Sequence, residues 1–301
     1  MASGDCYRVF YRSRDKAERL YLLRSMLAPR VSARWTEFIQ RFYRHVSASG
    51  PPARVLAKPL RSYLHRGLGP RQRLNLLVEH YRHVEQNFSR DWVRALCAGE
   101  PFALAIFDGR KSTHFTLSIA ASVTSLTQRE GELVIYLAKN GDDLKLSRVS
   151  LCFAAINGAR ALVIGGIQGP QGGKKRQVID ATRELYGLRP KDAVFLAARA
   201  FAQAVGADSV HAVSDANHVL NRLQDVAKFS GYDDYWRERG GVAGGPFGFV
   251  FAPLEGAEPG VKGRDQLKAA IVAAMQGFVA AHGRRTATGR ALASFGAFAP
   301  A

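Results

Sequence analysis

Three stretches of the sequence carry the residue types that anion binding or acid–base chemistry requires. In the first, Ala161 to Arg176, an apolar run opens into a loop with glycines at Gly165, Gly166, Gly169, Gly172 and Gly173, and with Gln168 among them. Lys174, Lys175 and Arg176 follow at the predicted start of a helix. Glycine lets backbone N–H groups approach a phosphate with no Cβ in the way, and a helix N-terminus adds unpaired donors and positive potential. This loop lacks both the P-loop spacing and the Gly-x-Gly-x-x-Gly of dinucleotide folds, so it reads either as an anion cradle or as a solvated surface hairpin.

The second stretch, Ser209 to His218, places His211 on a predicted strand with Ser209 and Val213 on the same side. Ser214, Asp215, Asn217 and His218 gather at its C-terminal end, where mixed sheets commonly place ligands. His211 is a candidate proton carrier, with Asp215 positioned to orient a histidine. The plainer reading makes His211 a hydrogen-bonded core residue and Asp215 or Asn217 a helix cap. The third stretch, Tyr232 to Gly241, sets Tyr232, Tyr235 and Trp236 on one helical side and predicts an Asp233–Arg237 ion pair on the other, with Gly240 and Gly241 ending the turn. Tyr235 and Trp236 are a candidate ligand wall and Tyr232 a candidate proton donor; the alternative is a packing anchor. His80 and His83 lie three apart on a predicted helix without a third ligand, which favours two solvated histidines over a metal site.

The elements that must hold these groups follow from periodicity. Trp35, Phe38, Ile39, Phe42 and Val46 recur at helical spacing with Arg34, Arg41 and Arg44 on the opposite face; Leu74 to Phe88 repeat the pattern. The period then shortens to two. Thr113–Ala120, Glu132–Ala138, Leu146–Ile156 and Ala161–Ile167, separated by turns such as Asn140-Gly141 and Asn157-Gly158, predict an antiparallel meander. Pro190–Val205 predicts a helix, Ser209–Val213 and Phe247–Phe251 strands, and Arg264–His282 an alanine-rich helix before a loosely held tail. The fold class is therefore α+β: a basic helical region (1–99) packed with a mixed, mostly antiparallel sheet flanked by helices (100–260), then the alanine-rich helix and tail (261–301).

With 47% apolar residues and 23% charged, the 301-residue chain can bury a substantial core, which excludes wholesale disorder. Its 43 Lys and Arg against 25 acids give a net charge of +18. The first 99 residues hold 19 cations and 7 acids, two thirds of the excess. Such a field favours polyanions: an anionic ligand, an anionic membrane surface or nucleic acid. The aromatics of the basic helices face inward, however, so the stacking platform of a single-strand binder is missing, and no zinc-finger or helix-turn-helix spacing accompanies the charge. Cys6, Cys97 and Cys152 fit neither a disulfide framework nor a zinc site. The N-terminus has no secretory signal pattern and no stretch is long enough to span a bilayer, so the expectation is a cytoplasmic protein with the inner membrane surface as its peripheral contact.

Taken in order, His80-Tyr81-Arg82, Ile167-Gln168-Gly169, the segment Ala181 to Lys191, Ala212 to His218 and Tyr232 to Gly241 resemble the VirK/YbjX family of bacterial proteins, over roughly residues 60 to 253. That resemblance implies a part in virulence, surface-protein localisation and resistance to cationic antimicrobial peptides, and no defined reaction. The basic, tyrosine-containing helix of such proteins after Pro253 is replaced here by an alanine-rich one. The element order also resembles that of acyltransferases related to Gcn5, which hold the pyrophosphate of coenzyme A on backbone amides before a helix. Their loop motif is not reproduced, since Gln171 stands where glycine is needed. That likeness implies a coenzyme A thioester held by residues 165 to 176, with Tyr232 or His211 protonating the leaving thiolate.

Overall fold

A computed structural model describes residues 16–122, 127–141, 144–170, 172–220, 231–254 and 263–284. The predicted tail beyond His282 lies largely outside them. Helices α1 (Lys16–Leu27) and α2 (Pro29–Arg44) open the fold. The apolar face of α2 is buried through Trp35, Phe38, Ile39, Phe42 and Tyr43, and the Trp35 indole N–H donates to the Val55 carbonyl at 3.0 Å. The short α3 (Ala53–Leu56) and a 3₁₀ turn (Lys58–Leu60) lead to α4 (Pro70–Asn87), whose proline start matches the predicted punctuation. Helix α5 (Arg90–Ala98) has its ends marked by Ser89, which caps the Trp92 N–H, and by left-handed Gly99.

Eight strands form one sheet in the order β1-β2-β3-β4-β5-β6-β8-β7. β1 (Phe102–Asp108), β2 (His114–Ala121), β3 (Leu133–Lys139), β4 (Lys145–Ile156) and β5 (Ala159–Gln168) make the predicted antiparallel meander, preceded by one strand that periodicity did not predict. That strand, β1, is an irregular edge: a register shift falls between Ala103 and Ala105, and Ile106 is 63% exposed. Between β4 and β5, Asn157 and Gly158 both take positive φ, 52° and 80°, as a two-residue hairpin requires. The chain then crosses over through α6 (Lys175–Glu184) and α7 (Pro190–Ala204) to β6 (Ser209–Val213), parallel to β5. After α8 (Tyr232–Arg237) come β7 (Val242–Gly244) and β8 (Gly248–Phe251), with β8 inserted between β6 and β7. Helix α9 (Gly263–His282) lies along α7.

The buried apolar cluster is continuous from Trp35 to Phe278, so the basic helices and the sheet share one interior. Phe153 on β4 is its meeting point: His83 of α4 stacks on it at 3.9 Å, and Phe201 of α7 lies 5.8 Å away. Phe88, Trp92 and Phe278 complete the aromatic seam that joins α4, α5, α7 and α9. The two histidines of α4 are therefore packing residues and not solvated ones. His80 is 2% exposed, and its Nδ1 accepts the Phe153 N–H at 3.1 Å.

Burial holds both imidazoles in the neutral form. The His83 pKa is pushed down to about 4 and that of His80 well below 6.5, the latter through burial and then through Lys58. Because the unfolded chain binds protons at a pH where the folded chain does not, stability is lost as pH falls through the unfolded value of 6.5 toward about 4. Urea unfolding midpoints should fall between about pH 7 and pH 5. His80→Asn, whose amide oxygen can accept the Phe153 N–H at any pH, should make that slope shallower. An unchanged slope would remove His80 from the account.

Candidate functional site

The parallel pairing of β5 with β6 runs from Ala161↔Ser209 to Ile164↔Ala212 and stops there. Strand β5 continues to Gln168 while β6 ends at Val213, so the last turn of β5 has lost its neighbour. What fills the gap is Glu130, which follows a 3₁₀ turn at Thr127–Arg129. A Cβ on Gly165 would sit 1.8 Å from the Glu130 carbonyl oxygen, and one on Gly166 would sit 2.6 Å from its carboxylate carbon. These two glycines are small because Glu130 occupies the space beside them, with its backbone against Gly165 and its carboxylate against Gly166.

Glu130 is fully buried. Its Oε1 accepts from Gln168 Nε2 at 2.5 Å and from His218 Nε2 at 3.1 Å, and its Oε2 from Ser150 Oγ at 3.2 Å. Gln168 is held in turn by Arg148, whose Nη2 donates to its amide oxygen at 2.7 Å. The His218 Nδ1 accepts the Leu220 N–H at 3.4 Å, so the ring donates through Nε2. Tyr232 lies edge-on to His218 at 4.9 Å, and its hydroxyl accepts from the Ile167 N–H. Burial, and then the Glu130 charge, push the Tyr232 pKa up, so the phenol stays protonated. The turn is stitched in place by Leu64, whose N–H donates to Arg129 O at 2.7 Å, and by Arg66, whose N–H donates to Asn217 O at 2.9 Å. The arrangement is a buried carboxylate hydrogen-bonded to an imidazole, with a phenol edge-on to that ring, beside the part of β5 that keeps β4 but has lost β6; these are side-chain types that acid–base chemistry uses.

The nine predicted loop residues separate into two environments. Gly165 and Gly166 are interior to β5, and Gln168 belongs to the Glu130 network. Gly169, Gly172 and Gly173 are open, with nothing within 4 Å of an added Cβ, and the latter two turn the chain at φ of 72° and 71°. Lys174, Lys175 and Arg176 are exposed where α6 starts without a side-chain cap, and Arg176 lies 3.9 Å from Asp180. Gln171 lies outside the described residues.

His211 is 5% exposed, with Nε2 3.2 Å from Ser209 Oγ and a buried Nδ1 that has no hydrogen-bond partner; burial lowers its pKa. Asp215 and Asp233 brace each other: the Asp215 N–H donates to Asp233 Oδ1 at 2.7 Å, and the Asp233 N–H to Asp215 Oδ2 at 3.3 Å. The expected Asp233–Arg237 pair is replaced, because Asp233 is taken by that brace and Arg237 bonds Asp234 at 3.0 Å. The carboxylate found on His218 is that of Glu130, not Asp215. Trp236 is fully buried, with its indole N–H on Val213 O at 3.0 Å; Tyr235 packs between Lys191 and Arg239 and donates to Asp192 at 3.1 Å. Both rings thus anchor α8 to the body of the protein. Burial, and then Arg239, push the Lys191 pKa down to about 8.

Sequence reasoning missed Glu130. Its only signal is Glu130-Gly131-Glu132, an acid–glycine–acid triplet before an apolar strand, in which Gly131 is itself required because a Cβ would meet Leu151 O at 2.6 Å. Glu132 turns toward the helices, where buried Lys58 pairs with it and the Tyr81 hydroxyl donates to it at 2.8 Å. Among the described residues no group of three or more metal-ligating side chains gathers, and no helix is long and apolar enough to cross a membrane.

Comparison with known proteins adds family context to this geometry. The family model described as a protein of unknown function (DUF535) matches residues 11–257. The uncharacterized protein YbjX of Escherichia coli (strain K12) is 28% identical over 248 residues, covering 80% of this chain and 74% of its own. No solved structure matches the chain.

The glycines of the two environments should respond oppositely to the same substitution. Gly165→Ala should cost about 2 kcal/mol or more, because neither the Glu130 backbone nor β5 can retreat. Gly169→Ala should stay within about 0.5 kcal/mol. Urea midpoints at constant m-value would measure both, and equal costs would contradict the wedge.

Proposed function

The chain belongs to the DUF535 (VirK/YbjX) family, and from that premise we propose that it is an acyl-transfer factor in the upkeep of the bacterial envelope, binding a coenzyme A thioester at the C-terminal end of β5 from the cytoplasmic side. The observation that carries this reading is the parting of the parallel pair after Ile164 and Ala212, followed at once by a glycine turn and a helix start flanked by cations. The order of meander, glycine loop, two helices, strand and helix resembles, with one helix more in the crossover, that of acyltransferases related to Gcn5, an analogy at the level of fold that supports the reading.

In this reading the pyrophosphate lies on the open backbone of Gly169, Gly172 and Gly173 at the head of α6, with Lys174 and Lys175 supplying charge. The thioester then points toward Tyr232 and the Glu130 wedge at the end of β5. An acceptor amine or hydroxyl attacks the carbonyl carbon, the C–S bond breaks, and the thiolate takes the Tyr232 proton. The acceptor's proton passes to the tyrosinate, which restores Tyr232. Tyr232 suits the donor role better than His211, since it already touches the backbone at the end of β5 whereas His211 is turned toward Ser209. For the thioester to reach the strand, Tyr232 must release the Ile167 N–H.

That same contact favours a second reading. A Glu130 with three donors and a Tyr232 engaged by backbone also describe a finished structural plug, in which case the loop binds its ligand without turnover and the family's envelope role is that of a binding factor.

Acetyl-coenzyme A and a long-chain acyl-coenzyme A should each raise the thermal midpoint of the protein, because a ligand at about 100 times its Kd adds roughly 2.7 kcal/mol to the folded state. Gly169→Asp and Lys174→Glu should abolish the shift, and Lys139→Glu, at the end of β3 two strands away from β5, should keep it. The absence of any shift in the unmodified protein overturns both readings. A shift together with a Tyr232→Phe variant that binds equally well but no longer releases free thiol selects the transferase.

A further inference from the structure

A cleft of about 160 Å³ opens between the Lys58–Leu60 turn and the Thr127–Arg129 turn. That is far more than the roughly 15 Å³ that admits one water. Arg54, Arg61 and Arg129 line it with Ser62, and no Asp or Glu does. Lys58 also lines it, but its charge is spent inward on buried Glu132. Among the described residues no carboxylate lies within ion-pair reach of Arg54, Arg61 or Arg129.

The cationic edge is built, not frayed. Arg73 donates to the carbonyls of Pro59, Arg61 and Leu68, which fixes the backbone that presents Arg61. Burial, and then the charges of Arg24 on α1 and of Arg129, lower the Arg61 pKa. The guanidinium groups of Arg54, Arg61 and Arg129 line one hollow with no carboxylate among them, and phosphate oxygens match their donor geometry. Arg24 also ties the cleft to an apolar rim. On α1, Leu23, Met26 and Leu27 follow the i, i+3, i+4 spacing and are 46%, 42% and 79% exposed, while Leu22 and Ser25 are buried and hold the helix down. Helix α1, which carries these three side chains, packs on the Lys58–Leu60 turn that edges the cleft.

We propose that this cleft seats the phosphate headgroup of an anionic lipid, with Leu23, Met26 and Leu27 entering the membrane surface beside it. An apolar ridge next to a phosphate-sized cationic hollow matches a headgroup and its acyl chains. A polynucleotide would have no use for the leucines, and Tyr63, the aromatic of the cleft, is buried. The site is separate from the β5 loop and does not depend on the reading given to that loop.

Co-sedimentation of the full chain with phosphatidylcholine vesicles, with and without phosphatidic acid, tests it. The unmodified protein should pellet with the phosphatidic acid vesicles alone. The pair Arg61→Glu and Arg129→Glu should weaken binding by about tenfold or more, and so should Leu23→Gln with Leu27→Gln, which leaves the charge intact. Circular dichroism and an unchanged thermal midpoint confirm that each variant folds. Lys111→Glu with Lys139→Glu, on the β1–β3 side of the sheet, removes the same charge as the arginine pair and should pellet normally. If that pair fails as badly as the arginine variant, the attraction is diffuse and the proposal falls. It also falls if the leucine variant binds as well as the unmodified protein while inorganic pyrophosphate displaces both, since the ligand would then be a soluble phosphate.

Discussion

A single buried carboxylate decides where the two parallel strands separate. Removing Glu130 from water is costly unless its oxygens are satisfied, and the fold supplies Gln168, His218 and Ser150 as donors from three different elements. Those donors can reach it only because Gly165 and Gly166 leave no side chains in the way. The wedge therefore fixes several things together: the end of β6, the stretch of β5 without β6 beside it, the place of His218 and the direction in which the glycine loop leaves the sheet. A change in any of the donors acts on the geometry of the loop as well as on stability.

The segment 127–132 gives this wedge reach beyond the sheet. Arg129 faces the cationic cleft, Glu130 the strand gap, and Glu132 the interior of the helical region through Lys58 and Tyr81. Three neighbouring positions thus address three surroundings, with Gly131 pressed against Leu151 between them. A charge-rich first third of the chain is held to a nearly neutral sheet by the Lys58–Glu132 ion pair, by hydrogen bonds such as those of His80, Tyr81 and Leu64, and by a shared aromatic seam, so the buried cluster does not break at residue 99.

Much of the architecture was legible where one face of an element is buried and the other is wet. The helix faces of Trp35–Phe42 and Leu74–Val84, the strands of the meander and β6 all follow from that contrast. β1 escaped because it is a sheet edge with a bulge, where alternation has no second neighbour to enforce it. Helix α5 carries a serine cap and a C-terminal glycine, but its nine residues give too few turns for periodicity to stand out. At the site, glycine composition suggested one phosphate cradle, whereas Gly165 and Gly166 answer to a close approach and Gly172 and Gly173 to backbone turning. Those causes look identical in a linear chain. Glu130 and His218 are 88 positions apart, and nothing local in either announces the partner.

The Asn157-Gly158 hairpin carries an implication for assembly. β4 and β5 meet through a two-residue turn and can zip early, whereas β6 must wait for residues 169–208 to form two helices and return. The carboxylate gains its imidazole donor only after that long excursion. The Glu130 cluster is in this sense a late product of the topology, so a nascent or partly unravelled chain would carry that acid without its His218 donor until β5 and β6 have paired.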